Sequence, residues 1–501
     1  MIPALFGLAC STSSDAGEPN AGGFSGAYGG SGGGGGAGGT ANTGGAGGTA
    51  NTGGASGAAN TGGAGGAANT GGGGNSSACG ELTTFETGKA PTSELHVATN
   101  GSPLGDGTSA RPFANIEQAV AHATPGTAIR VHSGTYSGGT FVSGLAGTAD
   151  APIWVGGAPG EPRPVVDGSS QALQFSRARY LVVHDLELRN ASDNGMNADD
   201  GADYANEDAS RYLVFRNLDI HDIGTGGNND CLKLSGLYDY WVLDSRFARC
   251  GRGGGSGIDQ VGCHRGVIAR NRFEQPGSDA VQAKGGSADI SIRSNLVVGG
   301  GDRGFNLGGS TGFAFFRPPL SASGTNFEAA NLRVIANVII GGEAAVAFVG
   351  CVDCVAAHNT IIDPEHWVVR ILQETTTSDG WVFAAARGGS FVNNIVYYSR
   401  GDVSTSVNVG SNTDADSFTF GHNLWYAHDA PAESAPTSLP VAETGSIVGA
   451  DPGFANVAAE NFHIGAASPA AGKGEAGVDS TGDFDGSCWG SPPSIGAFEP
   501  R

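Results

Sequence analysis

The feature that most constrains this chain is a short segment of the form Asn-x-apolar that returns throughout its second half. It occurs at Arg216-Asn217-Leu218, Arg270-Asn271-Arg272-Phe273, Ser294-Asn295-Leu296, Ala336-Asn337-Val338, His358-Asn359-Thr360-Ile361, Asn394-Ile395-Val396 and His422-Asn423-Leu424. The closest spacings are 24 residues, from Asn271 to Asn295, and 22 residues, from Asn337 to Asn359. Between these sites lies a second, alternating strand: Leu232-Lys233-Leu234-Ser235, Ile258-Asp259-Gln260-Val261, Val281-Gln282-Ala283-Lys284, Phe305-Asn306-Leu307-Gly308, Val346-Ala347-Phe348-Val349 and Val407-Asn408-Val409. Alternation of this kind turns one set of side chains inward and the other outward. Strands this short, divided by Gly, Asn and Asp turns and returning every 22 to 35 residues, predict the coils of a solenoid. Asparagine suits the corner, because it tolerates left-handed torsions and can hydrogen-bond along a stack of identical corners. A doubly wound α/β fold is excluded, since the intervals are too short and too rich in glycine to hold a helix each.

An open solenoid exposes unpaired strand edges, so its ends need covers. The segment from Phe113 to Ala123 carries apolar residues at helical spacing and is stopped by Pro125-Gly126, which predicts an N-terminal capping helix. Upstream, much of the chain's 88 glycines gathers before Ser76, where Ala41-Asn42-Thr43-Gly44-Gly45 returns at Ala50, Ala59 and Ala68. That stretch buries too little apolar surface to offset its ordering entropy, and residues 11–78 are expected to be a disordered tether. Met1 to Ala9 is apolar and leads into Cys10 and a polar segment, like the tail of a lipoprotein signal peptide, so the expected location is extracellular or at the outer cell surface. Cys351 and Cys354 lack the further Cys pair of a zinc module, and buried thiols or a small disulfide are expected there. A formal net charge of −22 excludes a nucleic-acid partner, which would need a basic footprint.

Two segments carry a family resemblance. His96-Val97-Ala98-Thr99-Asn100-Gly101, with Pro112-Phe113, Ile116, Ala119-Val120, Gly126, Ile129-Arg130-Val131 and Gly134-Thr135-Tyr136, resembles the opening of secreted bacterial parallel β-helix (pectin-lyase-like) proteins, polysaccharide lyases among them. Ala450-Asp451-Pro452-Gly453-Phe454, Asn461-Phe462-His463, Ser468-Pro469-Ala470 and Ile495-Gly496-Ala497-Phe498-Glu499 resemble the segment that ends such surface proteins. The resemblance implies an all-β, right-handed parallel β-helix over residues 79–501, with a cap over about 95–136, coils over about 137–430 and a C-terminal region over about 431–501. It implies a fold more strongly than an activity, because such helices host lyases, hydrolases and adhesins alike.

Aligning the alternating strands stacks their outward positions about 4.8 Å apart. One column reads Lys233, Asp259, Gln282, Asn306; the next reads Ser235, Val261, Lys284, Gly308; and Asp230, Ser256, Asp279, Arg303 stand three residues before the first. Ala347 and Val349 interrupt the polar face further along. Carboxylates mixed with two lysines and an arginine suit β-elimination on a uronic-acid glycan. Lys284 is the first candidate for the base and Lys233 the second, with Arg303 stabilising charge and Asp259, Asp279, Gln282 and Asn306 binding substrate. Gln282-Ala283-Lys284-Gly285-Gly286-Ser287 is similar to the lysine-bearing coil of β-helix lyases acting on alginate or chondroitin. The Asp-Asp-Gly turn at Asp199-Asp200-Gly201 is similar to calcium-binding turns of that group, which implies Ca²⁺ on Asp199, Asp200, Asp203 and Asp230. Gly262-Cys263-His264-Arg265-Gly266 is similar to the histidine turn of polygalacturonases and makes His264 a substrate-binding candidate. An inverting hydrolase using Asp230, Asp259 and Asp279, or a non-catalytic carbohydrate-binding surface protein, remain open alternatives. The expected partner is a polysaccharide, met by a monomer whose only membrane attachment is an anchor at Cys10.

Overall fold

The computed structural model describes residues 79, 81–224, 228–251 and 253–501. The expected tether over 11–78 and the lipoprotein-like segment with Cys10 lie outside the described residues. Among those described, the chain winds as a right-handed, all-β parallel helix with three long parallel sheets. The sheet that carries the polar columns has ten strands: β1 (Thr140–Ser143), β2 (Leu173–Ser176), β3 (Met196–Asp199), β4 (Leu232–Ser235), β5 (Ile258–Val261), β6 (Asp279–Lys284), β7 (Arg303–Gly308), β8 (Ala344–Val349), β9 (Trp367–Leu372) and β10 (Val407–Val409). Each pairs only with its neighbours of the preceding and following coils, as consecutive turns of a solenoid must.

Alternation decides which side chains form the core. Phe175, Ala198, Leu234, Gln260, Ala283, Leu307, Phe348 and Ile371 are in register from β2 to β9 and all point into the coil. Gln260 is the polar exception in this inward row, and its amide oxygen accepts a hydrogen bond from the buried Tyr240 hydroxyl while its amide nitrogen donates to the Gln282 carbonyl at 3.3 Å. The capping helix α1 spans Ile116–Val120, shorter than the apolar run implied, with Asn115 as N-cap and Ile116 and Ala119 buried against the first coils.

One corner is held by an asparagine ladder. Asn271, Asn295, Asn337, Asn359, Asn394 and Asn423 are stacked and buried; each Oδ1 from Asn295 onward accepts from both the backbone N–H and the side-chain amide of the asparagine one coil earlier, at 2.8–3.1 Å. The ladder begins at Ser245, whose N–H donates to Asn271 Oδ1, and ends at Asn423, whose amide donates to Glu443. The left-handed residue is not the ladder asparagine but the one before it, such as Arg270, Ser294, Ala336 and His358. Asn217 sits in that left-handed place (φ 51), so Leu218, not Asn217, aligns with the ladder. The shift is one residue and follows from the division of labour at the corner: one residue turns the chain, and the next ties it to its neighbour.

The C-terminal segment folds back along the outside of a second sheet. Ala497 and Phe498 pack on Val338 and Ile362, and Ile495 packs on Ile395 and Leu424. Disulfides join Cys79 to Cys488, Cys231 to Cys250 and Cys351 to Cys354, while Cys263 is a buried free thiol. Among the described residues no helix is long and apolar enough to cross a membrane.

Replacing Asn337 by alanine strips the acceptor from Asn295 N–H and Nδ2 and the donor from the Ile292 carbonyl. With buried groups left unsatisfied, the expected loss is about 2–4 kcal/mol, read from urea unfolding; a loss under about 1 kcal/mol would show that the ladder is not what ties these coils together.

Candidate functional site

Strand register brings the first polar column together as the alternation implied. Asn197, Lys233, Asp259, Gln282, Asn306, Ala347, Arg370 and Asn408 face one another from β3 to β10, and Asp279 pairs with Arg303 at the start of β6 and β7. These positions point away from the core, yet Asp230 and Asp259 are fully buried, and Asp279, Lys233, Lys284 and Asn306 retain less than a tenth of their surface. The patch is therefore recessed.

One wall of the recess is the segment between β7 and β8. Arg317 in this segment reaches back to Asp200, with Nε 2.7 Å and Nη2 3.2 Å from the two carboxylate oxygens, 117 positions away in sequence. Its side chain lies across the turns at Gly236 and Gly262, both at positive φ, where a Cβ would meet Asp200 Oδ2 at 2.3 Å and Arg317 Cβ at 2.4 Å respectively. Glycine is required at both turns on two counts, backbone and space. The buried Glu328 fixes the other end of the segment, accepting from the Gly285 and Thr311 N–H groups (2.8 and 2.9 Å) and from the Thr311 and Thr375 hydroxyls. Gly285 directly follows Lys284, so the wall and the lysine share one anchor.

The charges in the recess are unequally placed. Lys233 Nζ donates to Asp259 Oδ2 and lies 3.3 Å from Asp230 Oδ2; Lys284 Nζ is 3.7 Å from Asp259 Oδ2. Burial alone would discharge Lys233, but Asp259 and Asp230 outweigh it and hold the ammonium above its ordinary range. Burial likewise pushes Asp259 up, and the two lysines overcome it and keep the carboxylate ionised. Asp230 is shifted upward, chiefly by burial, with Lys233 opposing. Burial pushes Asp279 up to about 7 despite the Arg303 guanidinium. Arg303 donates to Asn306 Oδ1 (3.2 Å) and Glu374 Oε1 (2.9 Å), and these surroundings, Asp279 foremost, hold it as a cation against burial. Asp259 Oδ1, Asp279 Oδ1 and Asn197 Oδ1 are buried without a hydrogen-bond partner in the protein, which is unusual for native oxygens.

Other residues expected at the site stand elsewhere. Asp199 accepts from Gln174, Ser176 and the Gly201 N–H; Asp200 is spent on Arg317; the more exposed Asp203 meets Asn206 and Arg177; and Asp230 belongs to the lysine network. The four carboxylates do not converge on a common point, and no group of three or more His, Cys, Asp or Glu side chains suited to a metal occurs among the described residues. Calcium takes six to eight oxygens, and around Asp230 and Asp259 that shell would have to form where the Lys233 ammonium already stands, so this donor set does not fit the ion. His264 does not join the patch: it stacks on Tyr238 (4.5 Å between centroids), and its Nε2 lies 3.0 Å from the Arg317 carbonyl, supporting the wall from behind. Arg317, Glu328, Glu374 and Arg370 went unread in the sequence. A signal for the first two exists: the ladder spacing from Asn295 to Asn337 is 42, against 22–24 for its shorter steps, and marks an insertion.

Residues 95–231 match the family model described as "Pel9A-like, right handed beta helix region". No curated protein shows significant sequence similarity to the chain. Among solved structures, the chain is similar to the pectate lyase Pel9A (18% identity, TM-score 0.51, covering 83% of this chain and 99% of that one). It also matches a rhamnogalacturonan lyase (14% identity, TM-score 0.46, 66% and 87%) and the GH136 lacto-N-biosidase of Eubacterium ramulus (13% identity, TM-score 0.44, 64% and 66%). At such identities the first of these likenesses speaks for the fold, a parallel β-helix resembling those of polysaccharide lyases, and not for a particular reaction.

Replacing Arg317 by methionine leaves Asp200 buried without its cation, and a loss of about 3–5 kcal/mol in urea unfolding is expected; an unchanged midpoint would mean that the wall is held by Glu328 alone. Asp279 keeps a proton in the native state up to about pH 7, whereas the unfolded chain releases it near 3.8, so its contribution favours folding at low pH and is lost as pH rises between those values. Asp279→Asn should therefore gain stability relative to the parent between pH 4 and 7, and a difference that stays constant across that window would contradict the assignment.

Proposed function

We propose that the chain is an exported, polysaccharide-active β-helix protein that cleaves a uronic-acid-containing glycan by β-elimination. The observation that carries this reading is the burial of three carboxylates, Asp230, Asp259 and Asp279, and two lysines, Lys233 and Lys284, on an outward-facing sheet, with the partly exposed Arg303 beside them. Replacing buried ion pairs with apolar side chains is often neutral or stabilising, so such a cluster in a β-helix of ample core is better explained by chemistry than by stability. Three disulfides fit an oxidising compartment, and Cys10 is where a lipid anchor would sit.

The two lysines are not equivalent. Lys233 is locked as an ammonium between Asp230 and Asp259 and supplies fixed positive charge, which removes it as a base. Lys284 has one carboxylate within 4 Å among the described residues, Asp259 at 3.7 Å, and is the base that takes the C5 proton of the uronate. The C5–H electrons form the C4–C5 double bond as the C4–O4 bond breaks, and the Asp279 carboxyl, protonated below about pH 7, gives its proton to the departing O4. Arg303, held as a cation, stabilises the charge that develops on the uronate carboxylate. No step passes through calcium.

The test is the ultraviolet absorbance of an unsaturated product over a panel of alginate, pectate and glycosaminoglycans. Lys284→Ala should lower kcat by about 10²–10⁴-fold, and activity should survive a chelator, because Asp230 and Asp259 are already engaged by the Lys233 ammonium. A flat trace with active control enzymes overturns the elimination. A second reading, an inverting hydrolase, is favoured by the opposite shifts of Asp279 and Asp259, the pattern of an acid and a base; reducing ends without new absorbance would select it, and glycan binding without turnover would select a binding protein.

A further inference from the structure

The outward column does not end at Ala347. One coil further on, Arg370 stands in register with it, followed by Asn408. In this acidic chain many arginines end on a carboxylate: Arg246 on Asp219 and Glu274, Arg270 on Asp244, Arg317 on Asp200. Arg370 does not, as no carboxylate lies within 4 Å of it among the described residues. It is nonetheless half-buried and held in place: Nε donates to Asn408 Oδ1 at 3.1 Å, and the guanidinium lies 4.1 Å from the Trp367 ring centroid. His366 also stacks on that indole, with centroids 3.7 Å apart, so Trp367 is itself held and serves as a support for Arg370. Ala347, the small residue between Asn306 and Arg370, leaves the floor of the column low over a span of two strand spacings, about 10 Å.

Arg303 reaches over the same stretch from β7. After burial itself, its charge is the largest influence destabilising the Arg370 cation; Glu343, Glu374 and Asp302 each act in the opposite direction more weakly. Arg303 is already paired with Glu374 at 2.9 Å, whereas no carboxylate lies within 4 Å of Arg370 among the described residues, so the guanidinium left to take a further anion is that of Arg370. A planar guanidinium pre-oriented by stacking and one side-chain hydrogen bond keeps donors free for bidentate contact with a carboxylate.

We infer that Arg370, supported by Trp367 and Asn408 and flanked by Arg303 across Ala347, forms a carboxylate-binding subsite that seats a uronate of the glycan one or two sugars from the residue that reacts. The inference rests on the reading that this column binds an acidic glycan, but not on the chemistry at Lys284. Arg370 touches neither the proposed base nor the proposed acid; it is a positioning and specificity residue.

The test uses the full chain carrying Lys284→Ala, so that ligand is not consumed, with calorimetric titration of the tetramers of galacturonate, mannuronate and guluronate and of their methyl esters. The expected result is that Arg370→Ala and Arg370→Gln raise the Kd of the acid tetramer that binds tightest by at least tenfold, while Kd for the corresponding ester stays within twofold of the parent. Arg370→Lys should fall between, because it keeps the charge and loses the planar fork. Equal weakening of acid and ester, an unchanged Kd for the acid, or no binding of any acid tetramer by the parent overturns the inference. A failure of the elimination reading looks different: acid tetramers bind and depend on Arg370, but the protein with Lys284 intact yields no unsaturated product.

Discussion

The stacked amides of Asn271 to Asn423 hold the later coils of this protein in register. Each interior asparagine is both donor and acceptor, and it bonds to the backbone as well as to its neighbour, so a coil cannot slide by one residue without leaving several buried groups unpaired. A one-residue slip in a β-strand also exchanges the inner and outer faces. The same ties that protect the core therefore keep Gln282, Asn306 and Arg370 on one side of the solenoid. The earlier coils around Lys233 and Asp259 lie before and at the start of the ladder, where Ser245 takes the asparagine's place. There the Cys231–Cys250 disulfide adds a covalent tie beside the polar column.

Register alone would give a flat polar face open to water. The recess comes from the segment between β7 and β8, which returns over three earlier coils and is pinned at Asp200 by Arg317 and at Gly285 by Glu328. Burial beneath it pushes both Asp259 and Asp279 up, but Asp259 has two lysines to overcome it, so two chemically identical groups on neighbouring coils are held in opposite protonation tendencies. The imidazole of His264 belongs to the support of this wall rather than to the recess, and the free thiol of Cys263 to the apolar core.

What could be read from the sequence is what period and repeat determine. The column Lys233, Asp259, Gln282, Asn306 follows from a two-residue alternation carried by a coil of nearly constant length, and no long-range knowledge is needed to place it. Asn217 misled by one position because the corner uses two residues and only one of them has to be asparagine. Asp199, Asp200 and Asp203 look like a cation-binding turn when only their neighbours are visible. Their partners Arg317, Arg177 and Gln174 come from other coils, one of them 117 positions distant, and no local pattern announces such a meeting. Arg370 was hidden by the apolar gap at Ala347 and Val349, which reads as the end of a polar face when the register of the next coil is unknown.

The joining of Cys79 to Cys488 bears on how the protein carries load. Just beyond Cys79, Phe85 packs edge-on to Tyr180 and Tyr212 and against Trp241, and Glu86 pairs with Arg216, so the incoming chain lies across three successive coils. Tension on the polypeptide preceding Cys79 thus enters the solenoid at two places: through this strap, and through the disulfide into the C-terminal segment that lies along Val338, Ile362 and Ile395. Such a pull shears many contacts at once instead of peeling the terminal coil.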